Sequence, residues 1–397
     1  VLLGIHLTLL IGPVVPVPAP VALTEALVSA EVTHTDEGHS GFQLTFQAGR
    51  SGPMDIVDYP LLLNPLLRTF NRVILMVTFN AVPRVLFDGF ITRQQLQPSN
   101  EPGGSTLTVS GEDVSVMMDL VKLKVPHPAQ DETTIVFATL AKYAPLFLTA
   151  PMVIPPNQIE FPPPTERIPT QQSTTDREHV TELGSRFNHV FYVTPGPLPG
   201  QNTPYWGPAR RPDLGLPQPA LSVNVGPASN VESVSFQYDA LAPTIVADIV
   251  QVSDFNIAMP VIMPVSTRVP PLALMQSPLV NLPNVRVSSL AGGEPQEGSS
   301  EPGGRGGLSL IQAYAMAMSQ VNAAADKVVT VTGELDALRY GQVLMPRGLV
   351  GLRGAGFTYD GHYYVKSVTH TISKGDYKQK FTLTREGVGA LTPIVRP

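Results

Sequence analysis

Apolar and polar residues alternate with a period of two over much of this chain, the pattern of extended strands with one buried face. His6-Leu7-Thr8-Leu9-Leu10-Ile11 predicts a short first strand. Pro13, Pro16, Pro18 and Pro20 then predict an extended, polyproline-like arm, residues 1–24 in all. From Ser29 to Phe46 the alternation of Val32 and His34, then Phe42, Leu44 and Phe46, around a glycine-containing turn, predicts an antiparallel hairpin. Residues 72–79 and 84–97 add strands, and Thr106–Ser110 adds another after the Pro-Gly-Gly loop at 102–104. Residues 25–112 therefore form one all-β module, most economically a small barrel, because closure removes exposed edges.

The period changes after Asp113. Asp131 is placed to cap a helix in which Ile135, Ala138, Leu140, Ala141 and Tyr143 recur at helical spacing, with Pro145 ending it. A proline-rich loop runs to Pro169. Thr175-Asp176-Arg177-Glu178 has the spacing of a capping box, and Val180, Leu183 and Phe187 make the apolar stripe of the helix it opens. Val190–Val193 predicts a buried strand, so 113–205 is expected to be a small α/β domain.

Strand patterns return at 219–251, with Leu221, Val223 and Val225 alternating, then Val231–Tyr238 and Ile245–Val250. Residues 253–325 are rich in Pro, Gly and Ser and close with an alanine-rich helix from Ser309 to Asp326, its face marked by Leu310, Tyr314, Ala317 and Val321. A final hairpin turns at Ser373-Lys374-Gly375-Asp376. The expected second β module is thus discontinuous, 206–252 plus 326–390, with 253–325 inserted.

Two distant stretches repeat one order of features. The first has Arg72–Met76, Asp88-Gly89, a strand run, a Gly turn and Thr106-Leu107-Thr108-Val109-Ser110-Gly111-Glu112. The second has Gln342–Met345, Asp360-Gly361, a strand run, a Gly turn and Thr382-Leu383-Thr384-Arg385-Glu386-Gly387. Asp-Gly is common hairpin-turn chemistry, so each piece is weak alone; the shared order predicts one β module built twice. Two modules per subunit would double the apparent symmetry of an oligomer. The fold class expected is mainly β (α+β), with two similar small antiparallel barrels.

Composition narrows the chemistry. The chain has 397 residues, 41 of them Pro and 33 Gly, which favours turns and ordered loops over helical bundles. A charged fraction of 15% is low for a globular surface and suits a protein largely covered by partners. A net charge of −6 argues against nucleic-acid binding, and the prolines of the apolar start argue against membrane insertion. With no Cys, disulfides, thiolate metal sites and cysteine nucleophiles are excluded.

Candidate sites are few. His34 and His39 bracket a turn with Asp36 and Glu37, a set that could ligate a metal but that a polar hairpin tip explains as well. His179 and His189 flank the capped helix beside Asp176, Glu178 and Glu182; these could form an acid/base pair, although carboxylates in a first helical turn also complement its dipole. Gly351, Gly354 and Gly356 lack the Lys-Ser/Thr of a phosphate loop, and no nucleophile elbow occurs. Tyr205 and Trp206 could make an exposed binding platform or pack internally. The expectation is no catalytic, cofactor or metal site.

Three segments together resemble the phage late control D family, the baseplate hub proteins of contractile tails. They are Thr174–Leu183 followed by Phe191-Tyr192-Val193, Gly111-Glu112-Asp113 closing the first module, and Tyr359–Val365 running through to Leu383–Gly387. The resemblance covers most of 30–390 and is similar to the hub part of valine-glycine-repeat spike proteins. It implies a homotrimer whose two modules per subunit form a pseudo-sixfold ring, joining a trimeric spike to a hexameric inner tube beside other baseplate components. No catalytic residue carries over. One departure from the valine-glycine-repeat relatives, whose spike domain continues from the hub, is that this sequence stops ten residues after Gly387, so a separate spike polypeptide is expected. Low charge and the lack of Cys and of an export signal suit assembly in a bacterial cytoplasm, as part of a phage tail or an extracellular injection particle. The alternatives in other classes are a peptidoglycan-cleaving tail enzyme, with Glu178 or Glu182 as acid, and a β-rich carbohydrate-binding or adhesion module on Tyr205 and Trp206.

Overall fold

The computed structural model describes residues 5–13, 15–36, 38–49, 59–79, 81–101, 103–156, 170–209, 218–252, 257–269, 271–276, 284–290, 306–308 and 310–391. The Glu-Pro-Gly-Gly repeat at 301–304, most of the proline-rich loop before Thr170, and Glu37 lie outside these residues.

Six strands form the first module: β1 (His6–Gly12), β2 (Leu27–Thr35), β3 (Gly41–Gln47), β4 (Arg72–Phe79), β5 (Val82–Gln97) and β6 (Thr106–Asp113). Their order across the sheet is β2-β3-β6-β5-β4-β1. The period-two pattern does what it should: Ala30, Val32 and His34 of β2, Phe42, Leu44 and Phe46 of β3, and Leu107 and Val109 of β6 all point into one core. A short helix, Val21–Ala26, follows the proline arm and buries Leu23.

Between the modules, α1 (Glu132–Ala141) and α2 (Asp176–Ser185) pack on the antiparallel pair β7 (His189–Pro195) and β8 (Asn202–Pro208). Asp131 is the N-cap of α1, but its carboxylate accepts from the Thr134 hydroxyl rather than from a backbone amide. At α2 the capping box is complete. Thr175 Oγ1 accepts from Glu178 N at 3.1 Å, and Glu178 Oε2 accepts from Thr175 N at 2.9 Å.

The second module contains β9 (Gln218–Ser222), β10 (Val231–Tyr238), β13 (Val329–Asp336), β14 (Leu349–Arg353), β15 (Gly361–Ser373) and β16 (Asp376–Arg385). The chain between β10 and β13 carries β11 (Thr244–Val252), β12 (Ile257–Met263) and α3 (Leu310–Ala325). The sequence pattern assigned 245–250 to the second module. Instead β11 pairs with β12 and two short strands, 286–288 and 306–308, in a separate sheet under α3. Periodicity identifies a strand but not its partner.

The second module's order is β10-β13-β16-β15-β14-β9, the first module's order strand for strand. The long strands β5 and β15 even carry the same irregularity: register against the next strand slips between Ile91 and Arg93 in one, and between Val365 and Ser367 in the other. The outermost strands differ, since β1 runs antiparallel to β4 whereas β9 runs parallel to β14.

Two expectations change. Neither module closes into a barrel. β2 pairs instead with β15, over Ser29–Thr35 and Ser367–Ser373, fusing both six-stranded modules, with the two-residue strand Val17–Pro18 on the outer edge of β1, into one 13-stranded sheet. The edge that closure would have satisfied is satisfied by the sister module. Nor are the Asp-Gly pairs hairpin turns. Asp88-Gly89 lies inside β5, opposite Ile74 and Val73, and Asp360 immediately precedes β15. Glycine is required at Gly89 because a Cβ there would lie 2.0 Å from the Glu112 carbonyl oxygen. On the neighbouring strand, opposite Ile91, a Cβ at Gly111 would lie 2.1 Å from the Phe90 oxygen. Gly89→Ala is therefore expected to destabilise the fold by about 1–3 kcal/mol, the usual cost of overpacking. Urea denaturation measures it, and an unchanged midpoint would refute the close strand approach.

Candidate functional site

The built feature of this molecule is the junction where the two modules and the α/β domain meet. On its sheet side, His34 of β2 and His370 of β15 face each other edge-on, ring centroids 6.0 Å apart. His34 Nε2 donates to the Leu86 carbonyl at 2.8 Å, and Tyr377 Oη lies 3.0 Å from His370 Nδ1. Burial, with the Arg347 charge added, pulls His34 down to about 3. Burial and then His34 hold His370 well below the usual histidine value. Both rings are therefore neutral at pH 7 and serve as packed polar spacers.

Arg347 fastens the three parts. It is buried, and its Nη2 donates to the Thr35 carbonyl at 2.6 Å and to Ser40 Oγ at 3.1 Å, both at the β2–β3 turn. Nη1 lies 3.4 Å from the Val193 carbonyl and 3.4 Å from Thr194 Oγ1 in β7. The guanidinium carbon sits 3.8 Å from the centre of the Tyr192 ring. Burial lowers its pKa, while Tyr192, Tyr364, Asp113 and Asp36 oppose that shift. A planar five-donor cation suits such a three-way contact better than an ammonium.

The repeated Asp-Gly positions hold two further clamps. Arg72 Nε and Nη2 grip the Asp88 carboxylate at 2.7 and 2.8 Å. Asn202 Nδ2 donates to the same carboxylate at 2.8 Å, and Arg72 also donates to the Gly200 carbonyl at 3.0 Å, tying β4 and β5 to β8. In the second module Arg385 donates to the carbonyls of Asp360, Thr358 and Gly387 at 2.9, 2.7 and 3.0 Å. The Asp360 side chain accepts from Ala355 N at 2.8 Å.

The candidate residues are dispersed. His34 is internal, whereas His39 is exposed with Nδ1 3.1 Å from Glu112. Donor atoms of His39, Glu112 and Asp119 do lie within 4.8 Å of one another. Arg177 Nη1, however, bonds Glu112 at 3.0 Å and Asp119 at 2.8 Å, so the protein supplies its own cation there. Asp36 is buried beside Tyr364, whose phenol is raised by burial and then by Asp36. His179 stacks on His127 at 5.7 Å and is lowered to about 4 by burial and then by His127. His189 meets Trp206 edge-on at 4.6 Å and is lowered to about 4 by burial and then by Arg268.

The carboxylates near these rings are committed elsewhere. Asp176 accepts from Tyr143 Oη at 3.0 Å and from Lys142 at 3.3 Å. Glu178 caps α2, and Glu182 lies 3.9 Å from Arg186 on the helix surface. The platform reading of the aromatic pair is overturned. Trp206 is fully buried and donates to the Val180 carbonyl at 3.1 Å. Tyr205 is buried too, stacked on Tyr192 at 4.7 Å with its hydroxyl donating to the Pro208 carbonyl at 2.7 Å. Gly351 lies within strand β14 rather than in a loop before a helix.

Two cavities flank the junction. One, of about 620 Å³, is apolar, lined by Leu7, Leu9, Leu27, Val28, Ile372 and Tyr377, with Asp376 its single carboxylate. The other, of about 440 Å³, is lined by His34, Tyr192, Tyr205, Arg347 and His370 among others, and by no Asp or Glu. Hydrolysis of a glycoside needs two facing carboxylates, and neither cavity offers them among the described residues. Sequence reasoning missed Arg347 altogether, since a lone Arg after a Met-Pro pair gives no sign of burial.

The fold so assembled is that of tail proteins. A 43 kDa tail protein of prophage MuSo2 from Shewanella oneidensis superposes with a TM-score of 0.62 at 10% identity, over 96% of this chain and 99% of that one. A tail protein from Neisseria meningitidis MC58 superposes at 0.59 and 11% identity, over 97% and 98%. An Escherichia coli protein described as a component of the type VI secretion system, with structural similarity to the bacteriophage T4 tail proteins gp27 and gp5, superposes at 0.52 and 10% identity, over 92% and 77%. By sequence, no family model and no curated protein matches the chain. The likeness is one of fold over nearly the whole chain. Among the described residues, no helix is long and apolar enough to cross a membrane.

Removing one partner of the Arg72–Asp88 pair leaves a buried charge, so Asp88→Ala is expected to cost about 3–5 kcal/mol in denaturant unfolding. A cost below 1 kcal/mol, in the range of an exposed pair, would refute the clamp. The lowered histidines mean that the unfolded chain binds more protons than the folded one between pH 6.5 and about 3–4. Stability is therefore expected to be full above pH 6.5 and to fall steadily on acidification through that window. His34→Gln should flatten part of the fall in Tm against pH; an unchanged slope would show that His34 is not buried neutral.

Proposed function

We propose that this protein is a non-enzymatic baseplate hub of a contractile tail or injection particle, acting as a homotrimeric adapter between a trimeric spike and a hexameric inner tube. One observation carries the reading: a single chain holds two six-stranded modules in identical strand order, joined edge to edge by β2 and β15. Three such chains present six near-equivalent modules to one neighbour and three complete subunits to the other, which is what matching threefold to sixfold symmetry requires.

In this reading the first module, 25–112, attaches to the tube ring. The α/β domain of 113–205 braces it, and the second module, 206–252 plus 326–390, completes the ring around the inserted 253–325. Arg347, Arg72 and Arg385 hold the modules in fixed relation, a structural task rather than a chemical one. In this reading a spike sits on the ring, other baseplate components surround it, and assembly takes place in a bacterial cytoplasm. Support comes from the tail-protein fold, shared over nearly the whole chain.

Light scattering of the purified protein is expected to give three times the 42.6 kDa chain mass, and pull-down is expected to retain tube and spike proteins encoded beside it. A strict monomer that binds neither would sink the proposal. A peptidoglycan zymogram is expected to show no clearing; clearing lost in Glu178→Gln would establish the enzymatic alternative instead.

A further inference from the structure

The two modules are alike in strand order but unlike in what covers their edges. In the second module, β15 is fully flanked: β16 runs along one side, while the other side is shared by β14, up to Tyr364, and β2, from Ser367 onward. In the first module, β5 has β6 along one side, and on the other β4 ends at Phe90. Residues 92–97 of β5 therefore present an edge that no described strand fills. Likewise β2 is flanked by β3 and β15, whereas its counterpart β10 pairs, among the described residues, with β13 alone. One junction is made within the chain, and among the described residues no strand covers either half of a second.

Burial records the same asymmetry. Ala30, Val32 and His34 are buried in β2, but Val234, Phe236 and Tyr238, at the matching positions of β10, are only half-buried. Val368 and His370 are buried in β15, whereas Gln94 and Leu96 of β5 are half-buried. Val234, Phe236, Tyr238 and Leu96 pack on their own modules' cores, Phe236 stacking on Tyr359 at 4.8 Å, and yet stay partly exposed, the inward parity of a covered sheet with an incomplete cover. Long open edges of this kind invite strand addition.

We propose that β10 of one chain pairs antiparallel with residues 92–97 of β5 in a second copy, repeating between subunits the β2–β15 junction that each chain makes internally. The register follows from the shared slip in β5 and β15, which makes Arg93 equivalent to Ser367. Following rows across each sheet then makes Thr33 equivalent to Gln237 and Val32 to Phe236. The internal pairs Thr33↔Thr369, Val32↔His370 and Thr35↔Ser367 become Gln237↔Gln95, Phe236↔Leu96 and Asp239↔Arg93 between chains. The transferred register thus buries Phe236 against Leu96 and brings an exposed acid opposite an exposed base, although neither charge entered the alignment. Because the two surfaces differ, the contact is head-to-tail and propagates until it closes. Closure at three copies rests on the hub reading; the strand pairing itself rests on the internal template.

The absence of Cys from the chain makes the test direct. Thr33 Oγ1 and Thr369 Oγ1 touch at 3.0 Å in the template, and directly opposed residues of antiparallel strands lie within disulfide reach. Oxidised Gln95→Cys/Gln237→Cys protein is expected to give a reducible ladder of dimer and closed trimer on denaturing gels. Each single variant should give none, and a mixture of the two single variants should give dimer only. Thr33→Cys/Thr369→Cys, linked within one chain, calibrates the oxidation, and the offset pair Gln95→Cys/Ser233→Cys should stay unlinked. Trimers by light scattering without a 95–237 link would overturn this interface and leave the hub reading standing. A 95–237 ladder that extends past three would support the pairing and sink the trimeric reading. A chain that stays monomeric and unlinked overturns both.

Discussion

Everything in this structure depends on the pairing of β2 with β15, two strands more than 300 residues apart in sequence. Without it the molecule would be two separate β sheets, each with raw edges. With it, the two sheets become one, and the core of the first module extends to Ala337, Val343, Ile372 and Tyr377 of the second. Such a contact carries a large loop-closure cost, and it is reinforced by groups that form only once it has closed: the neutral His34–His370 pair and the Arg347 contact with the β2–β3 turn.

The polar interior has a consistent logic. Each buried arginine meets carbonyl oxygens or a carboxylate supplied by a different element, so no charge is left bare. Arg72 reaches the α/β domain, Arg347 reaches both the first module and β7, and Arg385 ties the loop before β15 to the residues that follow β16. These contacts set orientation. Titratable groups also cluster in this interior, where burial keeps the histidines neutral and the phenols protonated.

Repetition of the module gives these contacts a functional reading. A chain that joins two like units by a strand edge already contains the rule by which further units can be added, and symmetry adaptation needs only that the rule be applied between chains as well as within them. The insertion between β10 and β13 and the domain between β6 and β9 leave this frame at different points of the repeat and do not interrupt the strand order.

Much of the fold was legible in the sequence because alternation, capping and turn chemistry are local. The strands of 6–12, 27–47 and 72–113, the capping box at Thr175, the helix 310–325 and the hairpin closing at 374–375 all announce themselves within a few residues. The duplication was legible as an order of strand runs and glycine turns, but its residue matches were not: Gln342–Met345, matched to Arg72–Met76, lies in no strand, and the shared slip sets Asp88 level with His362 rather than Asp360. What the sequence left open was partnership. Asp-Gly reads as a turn until Arg72 is seen gripping Asp88; Tyr205 and Trp206 could be a platform or internal packing until β7 and α2 are seen to cover them. The 245–250 alternation marks a strand without saying which sheet it joins. The expected barrels did not close because an edge strand can be satisfied by its own sheet or by another. That choice is settled by the relative placement of two modules, a long-range free energy that no window of sequence contains.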